Sequence, residues 1–306
     1  MQPLAISQPS PFALENEALY QRWRAWKLEN YPARAEDAAV EVQDPRALTL
    51  AEADRILSVC RKANMVIYRS HLGALADKSI PRLLGERFGL KSLDSNLLAD
   101  EDSITSLEVM PEKSGRGYIP YSNRRLLWHT DGYYNPPSAR IRAMVLHCVR
   151  PAAEGGENAL LDPDIAYIRL RDADPAHIRA LMAPDAMTIP PNTGEGAERP
   201  ASVGPVFAID STGGNLHMRY TARTRSIQWK DDAATRAAVA ALEQLLADDS
   251  PTVFRYRLNA GEGLLCNNVL HNRTAFRDAD DARRLLYRAR YHDRIAGTNL
   301  DDIFGA

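Results

Sequence analysis

Leu126-Leu-Trp-His-Thr-Asp-Gly-Tyr-Tyr-Asn-Pro-Pro-Ser-Ala-Arg-Ile-Arg-Ala-Met-Val-Leu-His-Cys-Val149 is the stretch that decides the fold class. Two apolar runs, 126–129 and 141–149, flank a break rich in Gly, Asn and Pro. Each run is short, bounded by turn formers and carries no helical period, which is the signature of a strand. Working outward, the same pattern recurs at 65–68, 106–110, 206–209, 216–221, 252–258, 263–269 and 284–292. Thr212-Gly-Gly-Asn215 predicts a hairpin turn, and Asn259-Ala-Gly-Glu-Gly263 turns one strand into the next.

Helices are predicted between and before these strands. Thr49-Leu-Ala-Glu52 has the form of a capping box, followed by a stripe of Ala53, Ile56, Leu57 and Cys60. Leu19, Trp23 and Trp26 recur at helical spacing, and Ser79-Ile-Pro81 opens a helix that Gly89 can close. Asp162-Pro163 and Asp174-Pro175 are N-cap and first-turn pairs, and Asp232 caps a helix carrying Val239, Leu242, Leu245 and Leu246. The order predicts a mainly β protein with flanking helices, its core a sandwich or barrel. No repeat or linker divides it, so residues 1–306 are expected to form a single domain, with 1–12 (Pro3, Pro9, Pro11) as a flexible arm. The Pro- and Gly-rich stretch 190–205 reads equally as an exposed loop or as a lid.

Bulk composition excludes several functions. Lys and Arg total 38 against 40 for Asp and Glu, a net charge of -2, which offers no global attraction to nucleic acid or to an anionic membrane. No run approaches the roughly 18 apolar residues of a membrane span. The opening MQPLAISQPSPF lacks a basic region followed by an apolar one, so no signal peptide is expected. Cys60, Cys148 and Cys266 are odd in number and widely spaced, as expected of buried reduced thiols in a cytoplasmic protein.

The chemistry concentrates at His129-Thr-Asp131-Gly132. On extended backbone, residues two apart project to one side, so an imidazole and a carboxylate can address one ion. His271, in Asn267-Asn-Val-Leu-His271-Asn-Arg273, is the best candidate for a third ligand. Two His and one carboxylate leave open positions on an octahedral metal, an arrangement suited to non-heme Fe(II) and O2. Taken alone, the pair also reads as a hydrogen-bonded loop or a zinc site.

In Arg284-Leu-Leu-Tyr-Arg288-Ala-Arg290-Tyr-His292, alternation puts Arg284, Leu286, Arg288 and Arg290 on one face. Facing solvent they would be an ordinary ladder. Facing inward, each guanidinium would need an anion, and its planar fork suits a carboxylate. Arg284 and Arg288 lie about 13 Å apart at roughly 3.3 Å per residue, far enough to address two different carboxylates.

The H-T-D-G segment, the later His271 and the run Arg283, Arg284 and Arg288 together resemble the TauD/TfdA family of Fe(II)/2-oxoglutarate oxygenases. Gly155-Gly156-Glu-Asn158 falls where that family has G-G-x-T, and the resemblance covers roughly residues 65–293. It implies a double-stranded β-helix (jelly roll), iron bound by His129, Asp131 and His271, and 2-oxoglutarate and O2 as co-substrates. Arg284 would take the distal carboxylate of 2-oxoglutarate. Arg288 would meet its C1 carboxylate or an anionic group on the substrate. Asn158 replaces the family's Thr and can still donate a hydrogen bond. Succinate and CO2 would be released as a C–H bond of a small polar molecule is hydroxylated or desaturated; the carboxylate of Asp131 argues against halogenation.

Tyr133 and Tyr134, just beyond Asp131, are candidate substrate residues, as are His71 and Arg223. His217 would face the site only if its strand lines the core. A zinc hydrolase with the same ligands leaves the arginines unexplained, and a non-catalytic 2-oxoglutarate sensor is the reading from another class. The aromatic N-terminal helix offers a surface for self-association.

Overall fold

The structure is a computed structural model that describes residues 10–94, 102–110, 119–192, 199–210 and 213–304. Two sheets build the centre. The larger has six strands in the order Ala39–Val42, Met65–Ser70, Glu262–Cys266, Ala143–Arg150, Leu285–Tyr291 and Thr105–Leu107. The smaller has four, in the order Phe254–Tyr256, Asn158–Leu161, Leu270–Arg273 and Leu126–His129.

The 141–149 run is apolar throughout because both of its faces are covered. Met144, Leu146 and Cys148 join Leu264, Cys266 and Leu286 in a core shared with Leu160 and Phe254 of the smaller sheet. Ala143, Val145 and Val149 point the other way, into a core with Ile56, Cys60 and Leu84 of the helices Leu50–Ala63 and Ser79–Arg87. Alternation thus assigns each side chain to one of two interiors. The far face of the smaller sheet, with Ala159, Leu161 and Leu270, packs on residues of the helices Pro163–Ala173, Pro175–Leu181 and Ala233–Ala247.

The predicted caps form. Thr49 and Glu52 make the reciprocal capping box, and Asp162, Asp174 and Asp232 each accept a backbone N–H of their own helix. The N-terminal helix, Glu17–Asn30, differs from the expected stripe: it buries Tyr20, Trp23 and Lys27, with Leu19 and Trp26 only partly covered. Lys27 can be interior because its ammonium lies 2.6 Å from Asp162 and 2.9 Å from Asp164. The expected arm is shorter than predicted at its inner end. Phe12 is buried, with its ring 4.7 Å from that of Trp23 and 5.4 Å from that of Tyr167; residues 1–9 lie outside the described residues.

The 190–205 stretch is partly a hairpin, since Met187–Ile189 pairs with Ser202–Gly204 and Asn192 bridges to Arg199. Its tip, 193–198, lies outside the described residues, as does Thr212 of the predicted turn. The predicted strand 263–269 ends early, at Cys266. Asn268 then takes a left-handed conformation (φ 49°), and the chain leaves the larger sheet to enter the smaller at Leu270. Asn tolerates that conformation better than most side chains. All three cysteines are free and buried. No helix among the described residues is long and apolar enough to cross a membrane.

Candidate metal centre

The sheet switch at Asn268 is what gathers the site. It delivers His271 onto a strand paired antiparallel with Leu126–His129, in register with His129, so the two imidazoles are cross-strand neighbours with ring centroids 4.2 Å apart. Asp131 follows two residues on and turns in beside them. Among the described residues, His129, Asp131 and His271 form a buried trio whose ligand atoms all lie within 4.8 Å of one another.

Backbone contacts orient each donor. Nδ1 of His129 hydrogen-bonds the carbonyl of Leu127 and Nδ1 of His271 that of Val269, both at 2.9 Å. Each ring therefore keeps Nε2 for an ion, the usual division of labour in a metal-binding His. Asn268 holds the third donor in place. Its Oδ1 accepts the Asp131 N–H at 2.8 Å, while Nδ2 donates to the carbonyls of Asp131 (2.9 Å) and Ile141 (2.7 Å). Gly132 sits at φ 67°, and a Cβ there would fall 2.4 Å from Cγ1 of Ile141, so only glycine lets the chain turn away so tightly.

The electrostatics suit a cation. Burial, and then the neighbouring His271, pushes His129 down to about 3, so the ring is neutral and ready to ligate. Burial also lowers His271. Burial alone would raise the Asp131 carboxyl, but Arg288 and Arg290 outweigh it and hold the group well below the usual carboxylate range. Oδ1 of Asp131 accepts from Arg288 at 3.3 Å, whereas Oδ2 is buried with no hydrogen-bond partner among the described residues. An orphaned carboxylate oxygen beside two free imidazole nitrogens is a site short of one positive ion.

The arginine face of the C-terminal strand is the inner one. Leu286 lies in the core between the sheets, while Tyr287, Ala289 and Tyr291 face the helices. A cavity of about 490 Å³, part of it open to solvent, runs between the sheets from His271 past Leu146 and Leu160 to Asn158 and Arg284. Arg284 is 5% exposed, stacks 5.0 Å from the centroid of the Phe276 ring, and has no ion pair among the described residues. Burial pushes it down to about 10, outweighing the opposing pull of Cys148 and Asp278.

Sequence reading assigned no role to Arg273. It is buried, lowered to about 9 by burial and then by Arg284, and lines the same cavity. The signal was there: it stands two residues after His271 on one strand, hence on the same face. Of the substrate candidates, Tyr133 and Tyr134 stack edge to face at 5.2 Å, and the Tyr134 hydroxyl accepts from Arg290 at 3.2 Å. Arg223 is half-buried and follows Thr221, whose backbone bridges to His129. His71 is not gathered to the trio. It is exposed on the turn after Ser70, at the Arg69–Glu262 end of the strand pair, whereas the metal end is at Met65–Cys266.

Residues 30–290 match the family model described as "Taurine catabolism dioxygenase TauD, TfdA family". The chain belongs to the TauD/TfdA family. A "Uridine-5'-phosphate dioxygenase" of Amycolatopsis sp is 32% identical over 182 residues, 56% of this chain and 63% of that protein, so the match spans less than two thirds of that relative. One of Streptomyces sp is 30% identical over 210 residues, 67% of this chain and 75% of that protein. Among solved structures, an asparagine oxygenase in complex with Fe(II), 2S,3S-3-hydroxyasparagine and succinate superposes with a TM-score of 0.57 at 16% identity, covering 94% of this chain and 86% of that one. That likeness extends to the fold.

Proposed function

We propose that this TauD/TfdA chain is an Fe(II)- and 2-oxoglutarate-dependent dioxygenase that hydroxylates or desaturates a C–H bond of a small anionic molecule. The observation that carries the reading is the Oδ2 of Asp131, orphaned among the described residues, beside the two imidazoles of His129 and His271, at one end of a cavity whose other end holds a buried Arg284 with no ion pair among those residues. His129, Asp131 and His271 would hold the iron, a donor set that leaves positions open for other ligands. Iron and 2-oxoglutarate, when bound, would supply the oxidising chemistry: one oxygen atom of O2 would end in succinate as CO2 is lost, and the other in the hydroxylated substrate or, on desaturation, in water.

The chain's own residues do the rest. Arg284 offers a planar fork to the distal carboxylate, and Asn158, lining the same cavity, adds a donor. Arg288 holds Asp131 at 3.3 Å and presents its remaining N–H groups to the cavity as a partner for a second carboxylate. Leu146, Leu160 and Leu264 wall the space and keep water away from the reacting atoms. Tyr133, Tyr134 and Arg223 are the substrate-side candidates. The two facing sheets fit a double-stranded β-helix of one domain, and three reduced, buried thiols fit a reducing cytoplasm. Since two relatives are named for uridine 5'-phosphate, a phosphorylated nucleoside is the first substrate to try.

The test is oxygen uptake coupled to succinate release by iron-loaded protein, with uridine 5'-phosphate and related metabolites as candidates. Metal-dependent hydrolysis with no oxygen uptake would favour a zinc hydrolase. Binding of 2-oxoglutarate without turnover, for every candidate, would favour a sensor.

A further inference from the structure

Beside the trio stands positive charge that the iron chemistry leaves unused. The chain after Asp131 runs through Tyr133 and Tyr134 and comes back through Arg140 into the larger sheet. Around this loop stand Arg140, Arg142, Arg199, Arg219 and Arg290. Only two of them have carboxylate partners among the described residues: Arg142 meets Asp210 at 2.6 Å, and Arg290 pairs with Asp94. Arg219 is 9% exposed and, among the described residues, donates only to backbone carbonyls, those of Tyr133 (3.0 Å), Met187 (3.1 Å) and Ser202 (2.9 Å). Arg199 likewise donates to the carbonyls of Pro200 and Pro190, and its guanidinium lies 5.7 Å from the centroid of the Tyr134 ring.

Crowding leaves its mark on the group. Burial, and then Arg140 and Arg199, hold Arg219 down at about 10. His217 nearby is pushed down to about 3 by burial and then by Arg140 and Arg142, so it faces the cluster as a neutral ring. Asp210, which pairs with Arg142, also bears on Arg140, so two carboxylates, Asp210 and Asp94, face five guanidiniums among the described residues. Partly buried cations that repel one another and outnumber their counter-ions are costly to keep unless something anionic joins them.

The cluster adjoins the trio on the side away from the 2-oxoglutarate arginine. Arg290, which donates to the Tyr134 hydroxyl, follows by two residues Arg288, which donates to Asp131. Arg284 is six residues from Arg290, about 20 Å along an extended strand. An anion at the cluster would therefore be a different group from the distal carboxylate of the keto acid.

We propose that Arg140 and Arg199, backed by the fixed charge of Arg219 and by the Tyr134 hydroxyl, bind a phosphate monoester on the substrate. This deepens the oxygenase reading and rests on it for the substrate's reacting end. A phosphate monoester carries about -1.5 to -2 charges near neutral pH and three acceptor oxygens, which matches several forks better than a single carboxylate does.

The test is calorimetric binding of uridine 5'-phosphate, uridine and inorganic phosphate to the full chain, loaded anaerobically with iron and 2-oxoglutarate. Uridine 5'-phosphate should bind at least tenfold more tightly than uridine, inorganic phosphate should compete with it, and the affinity should fall with salt. Arg140→Gln and Arg199→Gln should each weaken uridine 5'-phosphate at least tenfold while leaving uridine unchanged. Arg225→Gln, the same charge loss on an exposed turn, should change neither. Should a Gln variant unfold, Arg140→Lys and Arg199→Lys keep the charge, lose the fork, and should show a partial loss. Equal affinity for nucleotide and nucleoside, or full affinity in both Gln variants, overturns the subsite. Tight, arginine-dependent binding without succinate release would sink the oxygenase reading and leave the subsite standing.

Discussion

Asn268 does three things, one with its backbone and two with its side chain. It takes the left-handed turn that switches sheets, it accepts the N–H of Asp131, and it donates to the carbonyls of Asp131 and Ile141. Asn268→Gly keeps the turn but loses the hydrogen bonds, and should cost about 2 kcal/mol or more, at roughly 1 kcal/mol per buried hydrogen bond. Asn268→Ala adds about 1 kcal/mol for the strained backbone. Both should weaken iron binding; denaturant unfolding and metal titration would show it, and wild-type iron affinity in the Gly variant would contradict the assigned role. Arg284 makes the opposite prediction. Its guanidinium is buried with no ion pair among the described residues, so Arg284→Gln should leave the metal-free protein as stable as before, or more so. The KM for 2-oxoglutarate should rise about tenfold to a hundredfold, from the roughly 1.5–3 kcal/mol of a charged hydrogen bond. Steady-state kinetics on both proteins decide it. Of these two residues only Arg284 stood out in the sequence, as one of three arginines alternating along a strand and as part of the motif that carries the family resemblance, although its burial did not. Nothing in Asn267-Asn268 marks the one that clamps a ligand until the strands are paired.

At the scale of elements, local signals translated directly. Thr49-Leu-Ala-Glu52 and the Asp-Pro pairs gave their helices because capping is satisfied within a few residues. Period-two alternation likewise placed the arginines of the C-terminal strand on one face, though not which face. The first helix departed from prediction because its buried stripe depends on a distant partner. Lys27 becomes an interior residue only when Asp162 and Asp164 arrive 2.6 and 2.9 Å from it. Burial would lower this ammonium, yet the two carboxylates outweigh it and leave its pKa raised. Lys27→Met should therefore cost about 3–5 kcal/mol, since it strands carboxylates in the interior. A loss under 1 kcal/mol in urea unfolding would mean that those carboxylates find water or protons instead.

For the whole molecule, acid sensitivity follows from histidines buried in the neutral state. Burial pushes His147, hydrogen-bonded to Tyr68 at 2.9 Å, down to about 4 from an ordinary 6.5. His129 falls to about 3 by burial and then by His271. Below pH 6.5 the unfolded chain takes up these protons first, so stability is full above that value and is lost as pH falls toward 4 and 3. His147 alone accounts for about 3 kcal/mol at 1.36 kcal/mol per pH unit. Unfolding of the metal-free protein at pH 7.5 and at pH 5 should show a clear drop; a flat profile would place these rings in contact with solvent. Iron affinity of the folded protein should hold over that range and decline only as pH nears 3, where a proton competes with the metal for Nε2 of His129.

By itself the sequence determined what is local or periodic: the caps, the strand alternation, the H-x-D pair and a face bearing three arginines. Those features depend on neighbours two to four residues away, and their physics is complete within one turn or one strand. Tertiary structure alone decided that the arginine face looks inward, that Arg273 shares the cavity with His271, and that Arg199 and Arg290 meet at Tyr134 with Arg219 on the neighbouring carbonyl of Tyr133. It also left His71 on an exposed turn at the far end of its strand. Each of these depends on which strands pair and in what register, and a register is set by the burial of the entire chain rather than by any segment of it.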